Sequence, residues 1–181
     1  MLKKRELHEA GQLFDLLIHP EVYPYVRHKA ETSDEYYFLT KQLIALEEQG
    51  TLITRTILDE WQQPIGTINL CDIQNSTGFL ATWLGRPFFG KGYNYRAKEA
   101  FLTEIFFEHG IEAVFMKIRK SNHRSKKAAQ KLSYVSQANQ LYPDVYTKLN
   151  ELEDLYDLYV IQKDQFLFYS YQKDQLTEKE A

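Results

Sequence analysis

The sequence predicts a mixed α/β (α+β) fold, with a mixed central sheet flanked by helices. Three observations carry this. Helical periodicity runs up to Gly50. Strand-like stretches replace it from Thr51 to Leu84, the first of them alternating, broken only by short turn-like links. Beyond Asn94, helix and strand patterns take turns.

The elements follow in order. Glu6 to Ile18 reads as a helix with Leu7, Leu13 and Leu17 among its apolar positions, and Pro20 and Pro24 interrupt it. Thr32-Ser33-Asp34-Glu35 fits a capping box, and Tyr36, Leu39, Leu43 and Leu46 follow at helical spacing up to Gly50. Thr51–Leu58, Ile65–Ile73 and Phe79–Leu84 form an expected antiparallel meander. Asn94 to His109 is a helix stopped by Gly110, Ile111 to Arg119 a strand and Ser121 to Leu132 a helix. Asp144 to Leu155 reads as helix, and Leu158–Ile161 and Phe166–Tyr171 as strands.

The bulk numbers narrow the function classes. A chain of 181 residues suits one domain with a full core. The net charge of -3 argues against a molecule that binds nucleic acid by its overall charge. The single cysteine, Cys71, permits no intrachain disulfide and no multi-cysteine metal site. The basic start, Met1 to Arg5, is followed by no apolar signal core, and no apolar run approaches the ~20 residues of a membrane helix. A cytoplasmic location is the expectation, with no metal, nucleic-acid or membrane partner.

The most informative stretch is Thr82 to Leu102, "TWLGRPFFGKGYNYRAKEAFL", a strand that passes through Gly90-Lys91-Gly92 into a helix. A helix N-terminus offers unpaired N–H groups and the positive end of its dipole, and glycines let an anion approach. The same glycines could simply serve a turn with left-handed angles. Lys91 is followed by Gly92 rather than Ser or Thr, which excludes a P-loop. Tyr95 stands where the dinucleotide fingerprint needs its third glycine.

The run "WLGRPFFGKGYNYRAKEAF" resembles the acyl-CoA loop of the GNAT acetyltransferase superfamily, closest to the branch of the ribosomal-protein N-terminal acetyltransferases. "NHRSKKAAQKLSY", Asn122 to Tyr134, resembles the family's Asn-x-x-Ser block. "PIGTINLCDI" resembles its Ile-Gly-Thr-Ile strand, and "DLYDLYVIQKDQF" its closing aromatic-rich strand. The resemblance implies a GNAT-like acyl-CoA N-acyltransferase fold with a splayed strand pair, spread over a single domain, 1–181. Residues 1–50 would shape the acceptor side, 51–134 would form the acyl-CoA-binding core, and 135–181 would supply C-terminal strands and more of the acceptor side.

It also implies acetyl-CoA as cosubstrate. Trp83 and Leu84 would hold pantetheine, and Phe89, Gly90, Lys91, Gly92, Tyr93 and Asn94 the pyrophosphate. Asn122 would lie near the pantetheine arm, and Ser125 would return a proton to the leaving thiolate; read alone, Ser125 is an ordinary serine of a first helical turn. The sequence departs from the family pattern in several places, among them Ser133-Tyr134 for the usual Gly-Phe and Ala129 where many relatives carry a tyrosine acid. Phe89 replaces the usual Arg or Gln that opens the phosphate loop, and Asn94 a small residue. Phe79 and Arg96 stand where the branch often has glutamates.

Seven Lys or Arg residues lie between Lys117 and Lys131 with no acid among them. They fit a solvated face, with a subset of Arg124, Lys126 and Lys127 available to a CoA 3′-phosphate. Asp72 is a candidate base or a strand-end turn acid. The expected activity is N-acetylation of a primary amine, on a small molecule or a peptide N-terminus, by direct attack on the thioester. The alternative is a non-catalytic acyl-CoA-binding sensor or interaction module. A homodimer is left open.

Overall fold

A computed structural model describes residues 1–180, with side chains described through residue 175. The chain forms two compact units, one of Met1–Asn75 with Phe79–Gly110 and the other of Ser76–Gly78 with the chain from Ile111 onward.

In the first unit the strand order is β1 (Leu2–Lys4), β2 (Ile53–Leu58), β3 (Pro64–Gln74) and β4 (Thr77–Leu84). β2 runs antiparallel to both β1 and β3. Asn75 and Ser76 join β3 to β4 with φ of 49° and 58°. Two left-handed residues make the tight hairpin turn whose twist matches its strands. β1 was not foreseen, because three residues flanked by charge carry no readable alternation. Helices α1 (Ala10–Leu17) and α2 (Ser33–Glu48) pack on each other around Leu13, Phe14, Leu17 and Tyr36. Thr32 caps α2 as expected, accepting from the Glu35 amide at 3.2 Å, while the Glu35 carboxylate reaches back one residue further than a capping box requires, to the Glu31 amide at 2.8 Å. Helix α3 (Tyr93–Glu108) buries Ala97, Phe101, Leu102, Ile105 and Phe106.

Every residue of β2 is buried, yet half of them are polar. Thr54 Oγ1 donates to Asn69 Oδ1 at 2.5 Å, and Thr56 Oγ1 to Glu9 Oε2 at 2.6 Å. The buried Glu9 carboxylate also pairs with Lys3 at 3.0 Å. Arg55 reaches Glu47 of α2 at 2.6 Å and Glu104 of α3, so one buried guanidinium ties β2 to two helices. Buried polar groups have to be paired in this way, since each one left bare costs about 1–3 kcal/mol.

The second unit orders its strands β5 (Ala113–Arg119), β7 (Tyr156–Gln162), β6 (Ser136–Gln137), with β7 antiparallel to both neighbours. Its helices are α4 (His123–Gln130), α5 (Pro143–Leu149) and α6 (Lys163–Glu180). The helix expected from Asp144 to Leu155 stops early at Asn150. That side chain donates to the carbonyls of Tyr146 and Tyr156 and accepts from the Tyr156 amide at 2.9 Å, which ends α5 and aligns the start of β7.

Phe166–Tyr171 is helical, which corrects the expected strand. Aromatic residues favour strands by composition, and here they fill every phase of the pattern. Phe166 is buried, and Tyr169 lies one turn on, at i+3. Both rings pack on Tyr134, at 5.2 Å and 4.9 Å, while Phe168 and Tyr171 are exposed. Among the described residues no helix is long and apolar enough to cross a membrane.

Candidate functional site

The site begins where β4 meets β3. Gly66 of β3 lies directly under the end of β4, and a Cβ there would fall 2.2 Å from the Trp83 carbonyl oxygen and 2.9 Å from Leu84 Cα. Only glycine permits that approach. The Gly85 amide donates to the Ile65 carbonyl at 2.8 Å and closes the crossing. Trp83 is half-buried and packs on the α1–α2 core, and Leu84 is buried.

Arg86–Phe88 then make one 3-10 turn, and Phe89 extends the backbone with φ −67° and ψ 145°. Phe89 packs on the same core as Trp83, with the Arg86 guanidinium 5.5 Å from its ring centroid. An apolar anchor at this position holds the loop against α1 and α2, which is what a phenylalanine does there in place of an arginine or glutamine.

Gly90 and Gly92 have φ of 73° and 79°, both in the left-handed region, and Gly92 is the N-cap of α3. The glycines thus serve a left-handed turn, and that turn delivers the chain into the helix N-terminus. No heavy atom lies within 4 Å of where a Gly90 Cβ would be. The first turn of α3 holds no acid, and its leading N–H groups lack intrahelical acceptors by geometry. Lys91 is exposed, with Nζ 5.9 Å from the Phe88 ring centroid. Asn94 buries Oδ1 with no hydrogen-bond partner.

Glu60 and Arg96, which lie outside Gly90-Lys91-Gly92, shape this turn. The Tyr93 hydroxyl donates a short hydrogen bond to the Glu60 carboxylate in the β2–β3 connection. That bond holds Glu60 below its ordinary carboxylate range and Tyr93 above its ordinary phenol range. Arg96 folds back along the helix. Its guanidinium stacks 4.8 Å from the Tyr93 ring centroid, donates to the Lys91 carbonyl at 3.4 Å, and lies 3.1 Å from where a Gly92 Cβ would sit. A cleft of about 280 Å³ opens beside them, lined by Ile57, Leu58, Asp59, Glu60, Tyr93 and Arg96 among others.

Asn122 and Ser125 lie together in the second unit at the start of α4. Asn122 Oδ1 caps the helix by accepting from the Ser125 amide at 3.1 Å, and both side chains are half-buried. The basic run around them is partly balanced. Lys120 pairs with Asp154, and Lys126 with the buried Asp157 at 2.6 Å. Burial works to raise the Asp157 carboxyl, but hydrogen bonds from Lys126 and Asn139 and the lysine charges hold it below its ordinary value. Asp72 sits on β3 with φ 55° and is paired with Arg27 at 2.5 Å, so its carboxylate already has a cation.

Of the residues expected at the site, Trp83, Leu84 and Phe89 to Asn94 form one continuous strand–turn–helix segment in the first unit, while Asn122 and Ser125 form a separate cap in the second. Sequence reasoning missed Gly66 and Glu60 and read Arg96 only as an absent acid. A glycine inside an otherwise apolar strand was the available signal for Gly66. Nothing in the spacing marks Glu60.

The family model described as "Acetyltransferase (GNAT) domain" matches residues 1–135. Among curated proteins none matches the chain by sequence. Among solved structures the chain is similar to apo FdhC, described as a nucleotide-linked sugar GNAT, with a TM-score of 0.76 at 16% identity, covering 96% of this chain and 92% of that one. It is similar to a variant of spermidine N-acetyltransferase SpeG from Vibrio cholerae, with a TM-score of 0.71 at 13% identity over 94% and 99%. It is also similar to RimL, a ribosomal alpha-N-protein acetyltransferase solved with coenzyme A, with a TM-score of 0.70 at 16% identity over 89% and 92%. At these identities the likeness is one of fold.

Proposed function

We propose that this chain, which belongs to the GNAT acetyltransferase family and is an acyltransferase, moves an acetyl group from acetyl-CoA to a primary amine of a small molecule or a peptide N-terminus. The observation that carries the reading is the Gly90-Lys91-Gly92 turn. Two left-handed glycines lead the chain into a helix that carries no acid in its first turn, and the space beside Gly90 is open. These residues fit a pyrophosphate: the leading amides of α3 lack intrahelical acceptors, Lys91 adds charge, and Gly90 carries no Cβ. Trp83 and Leu84, at the end of β4, take the pantetheine arm, and Asn94 is assigned to the loop with Phe89 to Tyr93. Asn122 is assigned to the same cosubstrate on the strength of the family block that it opens.

In the reaction, the nitrogen of a neutral amine attacks the thioester carbonyl. A C–N bond forms, the C–S bond breaks, and the proton lost by nitrogen passes to solvent or a base. Ser125 is assigned the return of a proton to the CoA sulfur. Most of the rate comes from holding amine and thioester together. Residues 1–181 are read as one acetyltransferase domain acting in the cytoplasm.

The test is release of CoA thiol from acetyl-CoA with a panel of polyamines, amino sugars and short peptides, alongside calorimetric binding of CoA. Turnover with one amine class, lost together with binding in Gly92→Val, supports the proposal. Binding without turnover on any amine leaves a CoA-binding module in its place. Absence of binding refutes it.

A further inference from the structure

The phosphate loop of this chain has an apolar residue where its family places a cation or an amide, and a cation where its branch places an acid. The two exchanges are linked by geometry. Phe89 is committed to the α1–α2 core and points no polar group at the turn. Arg96 occupies the fourth position of α3, and helical side chains lean toward the N-terminus. Its guanidinium accordingly lies back over Gly92 and Tyr93 rather than out along the helix.

That placement is electrostatically unfavourable by itself. A cation at a helix N-terminus meets the positive end of the dipole, and Lys91 adds a second positive charge. Among the described residues Arg96 has no carboxylate within 4.0 Å. Glu60, which lines the same cleft as Arg96, already accepts from Tyr93. The Tyr93 ring, held by Glu60, is the platform that keeps the guanidinium over the turn.

We infer that Arg96 is a cofactor-binding residue, whose guanidinium contacts the pyrophosphate of CoA from the helix side and replaces the charge missing at Phe89. The inference rests on the acetyl-CoA reading above and adds a residue outside the glycine motif. Glu60 and Tyr93 are positioning residues that act through Arg96.

The experiment measures CoA and dephospho-CoA binding to the full chain by calorimetry, for the wild type, Arg96→Gln, Arg96→Lys and Tyr93→Leu, with thermal melts of each. Arg96 is exposed, so its variants should melt like the wild type. Arg96→Gln is expected to weaken both ligands equally, by roughly tenfold to a hundredfold, the scale of one charge-assisted hydrogen bond. Arg96→Lys should recover part of the loss, and Tyr93→Leu should lose a smaller factor. The salt dependence of binding should flatten in Arg96→Gln. Equal CoA affinity in Arg96→Gln and wild type overturns the inference and leaves the glycine loop as the site. A loss confined to CoA, with dephospho-CoA unaffected, overturns the placement on the pyrophosphate. Absence of CoA binding in the wild type overturns this inference together with the reading on which it rests.

Discussion

Gly66→Ala isolates the crossing of β3 under β4. The added methyl carbon would sit 2.2 Å from the Trp83 carbonyl oxygen and 2.9 Å from Leu84 Cα. A carbon and an oxygen need more than 3 Å, so the two backbones must separate by about an ångström, and neither contact can be relieved by a rotamer change. Overpacking of this kind costs typically 1–3 kcal/mol, and a backbone-on-backbone clash belongs near the upper end, about 3 kcal/mol. For a chain of this size that lowers Tm by roughly 6–12 °C. The displaced atoms belong to Trp83 and Leu84, which are assigned to the pantetheine, so the KM for acetyl-CoA should rise at temperatures where the variant is fully folded. Thermal melts and initial rates at varied acetyl-CoA measure both. An alanine variant that melts within a degree of wild type with an unchanged KM would show that the crossing is neither tight nor coupled to the site.

Three further outcomes are expected. Ser125→Ala should lower kcat by roughly 10²–10⁴-fold with little change in acetyl-CoA binding, and full activity would return Ser125 to the role of a capped helical serine. Lys98 is half-buried on α3, and burial pushes its amine down to about 8. Below that pH both folded and unfolded chains carry the proton and the buried charge costs about 1–3 kcal/mol, so Lys98→Met should stabilise at pH 7. Between pH 8 and the unperturbed lysine range the unfolded chain holds more protons. Wild-type stability should therefore climb toward that of Lys98→Met, and a gap independent of pH in paired urea melts would contradict the account. Asp157, held below its ordinary value, contributes stability that is complete at neutral pH and lost as pH falls through the carboxylate range. Asp157→Asn should lower Tm by roughly 3 °C at pH 7 and flatten the acid limb of the pH–Tm curve, and an unchanged acid limb would dismiss the Lys126 pair as a contributor.

Most of the fold was legible because its elements obey a local rule. α2 announces itself through Thr32 and Glu35, β2 through alternation, and β3 and β4 as strand-like stretches on either side of a polar turn. The glycine loop was legible because its chemistry is carried by consecutive residues. What was not legible depends on partners distant in sequence. Residues 166–171 look like a strand until Tyr134 shows which phase of the aromatics is buried. Asn150 ends α5 through Tyr156, which no helical periodicity encodes. Arg96 reads as a lost glutamate in one dimension and as a cation over the turn in three.

The polar seam along β2 bears on how the chain avoids misfolding. A strand buried on both faces gains almost nothing from hydrophobic contrast, so sliding it by one residue past β3 would bury nearly as much oil as before. The slip would instead part Thr54 from Asn69, pull Thr56 from Glu9 and leave the Arg55 charge stranded from both carboxylates. Each broken pairing leaves a dehydrated polar atom behind, and the penalties accumulate within six residues. The seam thus works as a key cut into an otherwise smooth strand, admitting one alignment with β3 and, through it, one position for the backbone that crosses beneath Trp83.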